Sequence, residues 1–175
     1  MLKPILIHPD PRLKKICDPV PDVTDQVRTL ARDMLETMYH APGIGLAAPQ
    51  IGVNSRMLVM DCAKREEDAG KPEPMVLINP EITQSSAEFE EYEEGCLSIP
   101  DIYAMVTRPT AVRVSYLNED GDPQERDFEG IWAVCVQHEI DNLNGKLFVD
   151  YLSPMRRTMI TSKMKKLKRE RARAG

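Results

Sequence analysis

No stretch of this chain approaches the roughly 18 consecutive apolar residues that a bilayer-spanning helix needs, which excludes a helical membrane protein. The start, "MLKPILIHPDPRLKK", has an apolar stretch far too short for a secretory signal and runs at once into prolines and charges. A cytoplasmic location and no membrane partner are the expectations. Cysteine is sparse, at Cys17, Cys62, Cys96 and Cys135, with no C-x-x-C pair and no disulfide-like spacing. In a reducing compartment these are expected as buried thiols, with one available for reaction or for a metal. Histidine is sparser still, with only His8, His40 and His138. There is no internal repeat and no low-complexity linker, so a single domain over residues 1–175 is the economical reading.

What is present suits a globular chain. The 175 residues are 42% hydrophobic, enough to bury a sizeable core. The net charge of −5 is unevenly placed. From Pro154 onward nine Lys or Arg face a single acid, Glu170, so the tail carries +8 and the preceding body −13. Residues 154–175 therefore read as a basic helical extension suited to an anionic partner such as a nucleic-acid backbone, or equally as a solvated helix.

Periodicity places the elements. In "VRTLARDMLETMYH" the residues Val27, Leu30, Ala31, Met34, Leu35 and Met38 form one apolar helix face, with Asp22 or Thr24 as cap and Pro42–Gly43 as the stop. Strands are predicted over 56–61, 75–79, 111–117 and about 124–129, the last two joined by the turn "NEDGDP". Residues 63–74 read as an exposed loop. A helix is predicted from about 130 to 143, ended by Asn144 and Gly145, and a final helix opens at Ser153–Pro154. The fold class is α+β: one domain with antiparallel strands around a central helix, plus a C-terminal helix.

Three stretches carry chemistry. In "VQHEIDNLNG" (136–145), His138 is followed by Glu139, and Asn142 stands one helical turn on, where a zinc-hydrolase H-E-x-x-H pattern has its second histidine. Ile131, Val134 and Cys135 share the stripe of His138, which suits an apolar slot beside a reaction centre. The plain alternative is a core histidine with Glu139 at the surface. In "EEGCLSIP" (93–100), a Cys96 thiolate beside Glu93 and Glu94 needs a balancing cation, which favours metal ligation, with an inert buried thiol as the alternative. In "GIGLAAPQIG" (43–52), Gly43 and Gly45 allow close backbone approach or positive φ, and Gln50 offers an amide to an oxyanion. This loop lacks the Lys-Ser/Thr ending of a phosphate-binding loop.

In this order, "GIGLAAPQ" (43–50), "EGCLS" (94–98) and "QHEIDN" (137–142) resemble the G-x-G-L-A-A-x-Q, E-G-C-L-S and Q-H-E-x-D-H motifs of peptide deformylases. The resemblance extends over nearly the whole chain, including "HPDPRLKK" and "DYLSPMRR". It implies a hydrolase that removes formate from N-formylmethionyl nascent peptides, using one divalent metal, Fe(II) by resemblance, with Ni, Co or Zn as substitutes. The metal would be held by Cys96 and His138, with Asn142 where the family has histidine. Glu139 would move the proton of the attacking water to the leaving amine, and Gln50 with the backbone N–H of Leu97 would stabilise the oxyanion. Gly45 and Gly95 would hold the peptide backbone, and Ile44, Tyr92, Ile131, Val134 and Cys135 would line the methionine pocket. His8 and His40 are read as structural. The resemblance also implies ribosomal RNA as the partner of the basic helix. A monomer is expected. Asparagine is a neutral and poor ligand for such metals, and it falls short of the distal imidazole nitrogen by about 2 Å. Impaired activity is therefore expected of this chain. The alternative is a disabled deformylase-like protein that binds formylmethionyl peptides or ribosomes without turnover.

Overall fold

A computed structural model describes residues 1–63 and 71–175. Helix α1 spans Asp25–His40, and Thr24 caps it by accepting the Val27 N–H on Oγ1 at 3.3 Å. Five strands follow in an antiparallel sheet of order β1-β2-β3-β6-β7: β1 Gly45–Ala47, β2 Met57–Met60, β3 Met75–Ser85, β6 Ala111–Leu117 and β7 Pro123–Glu129. Helix α2, Gly130–Leu143, packs against this sheet, and a separate hairpin of β4 (Phe89–Cys96) and β5 (Ile99–Pro109) lies beside it. Helix α3, Pro154–Ala174, closes the chain.

Strand β2 shows why its sequence reads as an unbroken apolar run. Met57 and Val59 face α1, in a cluster with Met34, Met38 and Ile78, while Leu58 and Met60 face α2, with Leu77, Ala133 and Val136. Both faces are covered, so the period-2 alternation of a one-sided strand is lost. A further cluster joins Ile99, Ala104 and Val106 of the hairpin to Ile7, Phe148 and the α3 residues Ile160 and Met164. The basic helix is thus anchored to the body through two buried side chains.

The structure departs from the sequence expectation at strands β3 and β4. Strand β3 continues past 79 to Ser85, and Pro80 is accommodated at a register shift between Ile78 and Glu81. There Asn79 takes φ 51 and exchanges two hydrogen bonds with the Val20 backbone, at 2.8 and 2.9 Å. Strand β4 is not visible in the sequence, because Glu90, Glu91, Glu93 and Glu94 depress strand propensity. Pairing with β5 from Phe89↔Pro109 to Gly95↔Tyr103 supplies what local preference lacks. Of the expected 63–74 loop, residues 64–70 lie outside those described. The α2 terminus follows expectation, with Gly145 at φ 77 just beyond the Asn144 cap, where a left-handed backbone favours glycine.

Candidate active site

Helix α2 is enclosed by the sheet on one side and the hairpin on the other. His138, Glu139 and Asn142 are 6%, 4% and 1% exposed, so the alternative with Glu139 at the surface does not hold. A cleft of about 610 Å³ opens over this helix. Of the residues singled out in the sequence, Ile44, Gly45, Gln50, Gly95, Cys96, Leu97, Ile131, Val134, Cys135, His138 and Glu139 line it. Gly43 and Gly45 do not use positive φ. Gly45 is needed for closeness: a Cβ there would lie 2.5 Å from Glu139 Oε2 and 2.7 Å from Cys135 Sγ.

His138 is held from behind. Its Nδ1 lies 2.9 Å from Glu94 Oε1, and both Glu94 oxygens accept from Arg108, at 2.5 and 2.9 Å. Since that carboxylate can only accept, Nδ1 is the donor and the other nitrogen is left for the cleft, which Cys96 also lines. Arg108 also donates to Asp141 Oδ2 at 2.9 Å, and Tyr151 OH donates to the same oxygen at 2.7 Å. Arg108 thereby answers the charge problem posed by "EEGC": it is the cation that balances Glu94. Burial pushes the Glu94 pKa up, but Arg108 and His138 outweigh it and hold the group below its ordinary value.

Gln50 and Asn142 are oriented by their partners. Gln50 Oε1 accepts the Ala47 N–H at 2.9 Å, which turns its Nε2 toward Ser98 Oγ at 3.1 Å and Cys96 Sγ at 3.5 Å. Asn142 Nδ2 donates to Glu139 Oε1 at 3.1 Å and more weakly to Gln50 Oε1 at 3.4 Å. Both partners are oxygens, so the amide cannot be turned over, and its buried Oδ1 is left without a partner. Glu139 has its pKa raised, first by burial, against the opposing effects of His138 and Asn142.

Among the described residues there is no cluster of three His, Cys, Asp or Glu able to hold a metal. The donor set nevertheless fits a divalent cation with two good ligands, the Cys96 thiol and the His138 imidazole, and one poor one. A histidine whose far nitrogen is fixed by a carboxylate has the outer support usual for a metal ligand. Burial opposes charge on His138, yet Glu139, Cys96 and Glu94 together raise its pKa well above the ordinary range. Surroundings that draw a proton onto the ring are surroundings for which a cation would compete. The orphaned Asn142 Oδ1 is the remaining acceptor, and it is neutral.

Tyr92 does not join the group. It is not among the residues lining the cleft, and its hydroxyl donates to Glu90 Oε2 at 3.2 Å on its own strand. An aromatic on an acid-rich strand finds a local acceptor before it reaches the cleft. His8 lies apart from the cleft, with Nε2 2.9 Å from Thr161 Oγ1. His40 is at the end of α1 and also lines the cleft. Sequence reasoning missed Arg108, Ser98 and Asp141. Arg108 had a signal: it continues the buried face of β5 after Ala104 and Val106, and an arginine on a buried face implies a buried acid.

A thiol, an imidazole, a carboxylate and a side-chain amide converging beside an apolar slot define a hydrolytic enzyme cleft. Comparison with known proteins narrows the class. Residues 2–158 match the polypeptide deformylase family. A peptide deformylase of Mesorhizobium japonicum is 55% identical over 171 residues, covering 98% of this chain and 96% of that protein. The crystal structure of a peptide deformylase from Legionella pneumophila superposes with a TM-score of 0.88 at 47% identity, covering 99% of each chain. One from Ehrlichia chaffeensis, in complex with actinonin, gives 0.91 at 39% identity, covering 96% of this chain and 98% of that one. The chain belongs to the polypeptide deformylase family.

Proposed function

We propose that this chain hydrolyses the formyl amide of N-formylmethionyl polypeptides in the cleft over α2, and that Asn142 leaves it poor in metal and slow. The observation that carries the reading is the convergence of Gln50, Cys96, His138 and Glu139 beside the apolar slot of Ile131, Val134 and Cys135. The slot, with Ile44, takes the methionine side chain, and the backbone at Gly45 and Gly95 holds the extended peptide. Cys96 and His138 hold the ion, Fe(II) by family resemblance, with Ni, Co or Zn as substitutes. Such an ion supplies Lewis acidity and makes bound water more acidic.

The chain's own groups do the rest. Glu139 Oε2, the oxygen nearest Gly45, takes the proton of the attacking water and passes it to the leaving amine. A carboxyl with a raised pKa suits a group that must keep that proton between the two transfers. The Gln50 amide, with its oxygen fixed by Ala47, and the Leu97 N–H stabilise the oxyanion. Formate and a free N-terminal methionine leave.

Asn142 acts twice against this cycle. It offers the ion a neutral oxygen in place of imidazole, and its Nδ2 holds Glu139 Oε1. The test is metal content per chain and formate release from a formyl-Met peptide, measured on one anaerobic preparation beside an Asn142→His variant. The variant is expected to hold stoichiometric metal and to exceed the parent's turnover by more than the roughly 10–100-fold that outer-shell partners cost. Equal occupancy and equal turnover would remove Asn142 from the account. A parent that binds the peptide but is empty and silent is the binding-only protein of the alternative reading.

The chain is proposed to work in the cytoplasm as a monomer, with the exposed cations of α3 on ribosomal RNA. Cutting after Ser153 would also strip Ile160 and Met164 from the core. Reversing the charges of the exposed Lys163, Lys166 and Arg169 is the cleaner test. Ribosome co-sedimentation should weaken steeply with salt and be lost in that variant; salt-independent binding would contradict it.

A further inference from the structure

The N-terminal segment bonds to two parts of the site through alternate backbone groups. The Leu6 N–H donates to Gln50 O at 2.7 Å, and the His8 N–H donates to Ser98 O at 2.9 Å. The same two residues meet on their side-chain side, where Gln50 Nε2 donates to Ser98 Oγ at 3.1 Å. Residues 6–8 therefore brace from the backbone what the side chains join across the cleft.

The brace is itself tied to α3. The His8 imidazole, 5% exposed, lies 2.9 Å from Thr161 Oγ1 through its Nε2, and Ile7 is buried with Ile160 and Met164 of the same helix. Phe148, of that cluster, stacks on the His138 ring with centroids 6.1 Å apart. Neither His8 nor Thr161 lines the cleft. Whatever they do for the reaction, they do through the groups they hold.

We propose that His8 and Thr161 form a strut that carries the seating of α3 to the backbone of Gln50 and of Leu97–Ser98. They are positioning residues for the oxyanion donors, and the proposal rests on the assignment of Gln50 and Leu97 to that role. A donor network tolerates little displacement: a misplacement of about 1 Å from a remote change can cost on the order of 100-fold in rate. Residues 6–8 join both donor segments to one helix, so loosening the helix end of the strut lets the two segments drift apart.

The test uses the full-length, metal-loaded protein. Thr161→Val removes the hydroxyl at nearly constant shape, and Thr161→Ser keeps it. Formate release from a formyl-Met tripeptide should lose about tenfold in kcat with KM within about twofold in Thr161→Val, and recover in Thr161→Ser. On the same proteins, amide hydrogen exchange at Leu6 and His8 should speed up about tenfold in Thr161→Val and not in Thr161→Ser, with the α2 amides unchanged. Parental kcat and parental exchange in Thr161→Val would overturn the strut. So would a uniform loss of protection that reaches α2 and is not rescued by serine, which is ordinary destabilisation. If neither the parent nor its Asn142→His variant releases formate, the functional reading fails, and the site-resolved exchange alone decides the strut.

Discussion

A single side chain, Asn142, carries the main departure from the motif, and its behaviour is set by its neighbours. Nδ2 goes to two oxygen acceptors, so the amide oxygen is the atom left over. That leaves a buried acceptor unsatisfied, and on the proposed reading it leaves the ion one strong donor short. His8 gives a second prediction at this scale. Burial, followed by the charge of Lys14, pushes its pKa down to about 4, with Asp150 opposing and Lys165 and Lys168 adding to the fall. Below its ordinary pKa the unfolded chain takes up a proton that the folded chain refuses. The stability owed to neutral His8 is therefore complete above about pH 6.5 and is lost as pH falls toward about 4. Urea unfolding across that window should show a flatter pH dependence in His8→Gln than in the parent. Parallel curves would mean that His8 is not held neutral.

Among the elements, the β4–β5 hairpin does most to build the site, although its first strand is hidden in the sequence. It delivers Glu94, Cys96 and Leu97 to the cleft and Arg108 to the back of His138. Arg108 and Glu94 are both buried, at 3% and 4% exposed, so removing one leaves the other as an uncompensated interior charge. Arg108→Ala is expected to cost on the order of 3–5 kcal/mol in urea unfolding. The exposed Arg113–Asp127 pair, at 2.7 Å, should be nearly silent to the same change. A small effect for Arg108 would show that the chain rebuilds this network with water. Helix α3 joins two roles, with cations on its exposed side and Ile160 and Met164 in the core.

At the scale of the whole molecule, metal and folding are linked. An ion held only by the folded chain stabilises it by about 2.7 kcal/mol at a free concentration 100 times Kd. Zinc or nickel should therefore raise the unfolding midpoint of this chain, and raise that of Asn142→His further at the same free metal. No shift in either protein would argue against a cation site on Cys96 and His138. No described helix is long and apolar enough to cross a membrane.

The sequence by itself determined the elements with a local period and the three motifs: α1 from its stripe, the β6–β7 pair from its turn, α2 from its run to Gly145, and the family from residues 43–50, 94–98 and 137–142. These signals act over a few residues, where propensity and spacing suffice. The tertiary structure decided which groups meet. Glu94 and His138 are 44 residues apart, and Gln50 and Asn142 are 92 apart. Nothing local records that Arg108 balances Glu94 or which way the Asn142 amide points. Hydrogen-bond direction and burial depend on partners distant in the chain, so they emerge only when sheet, hairpin and α2 have closed on one another.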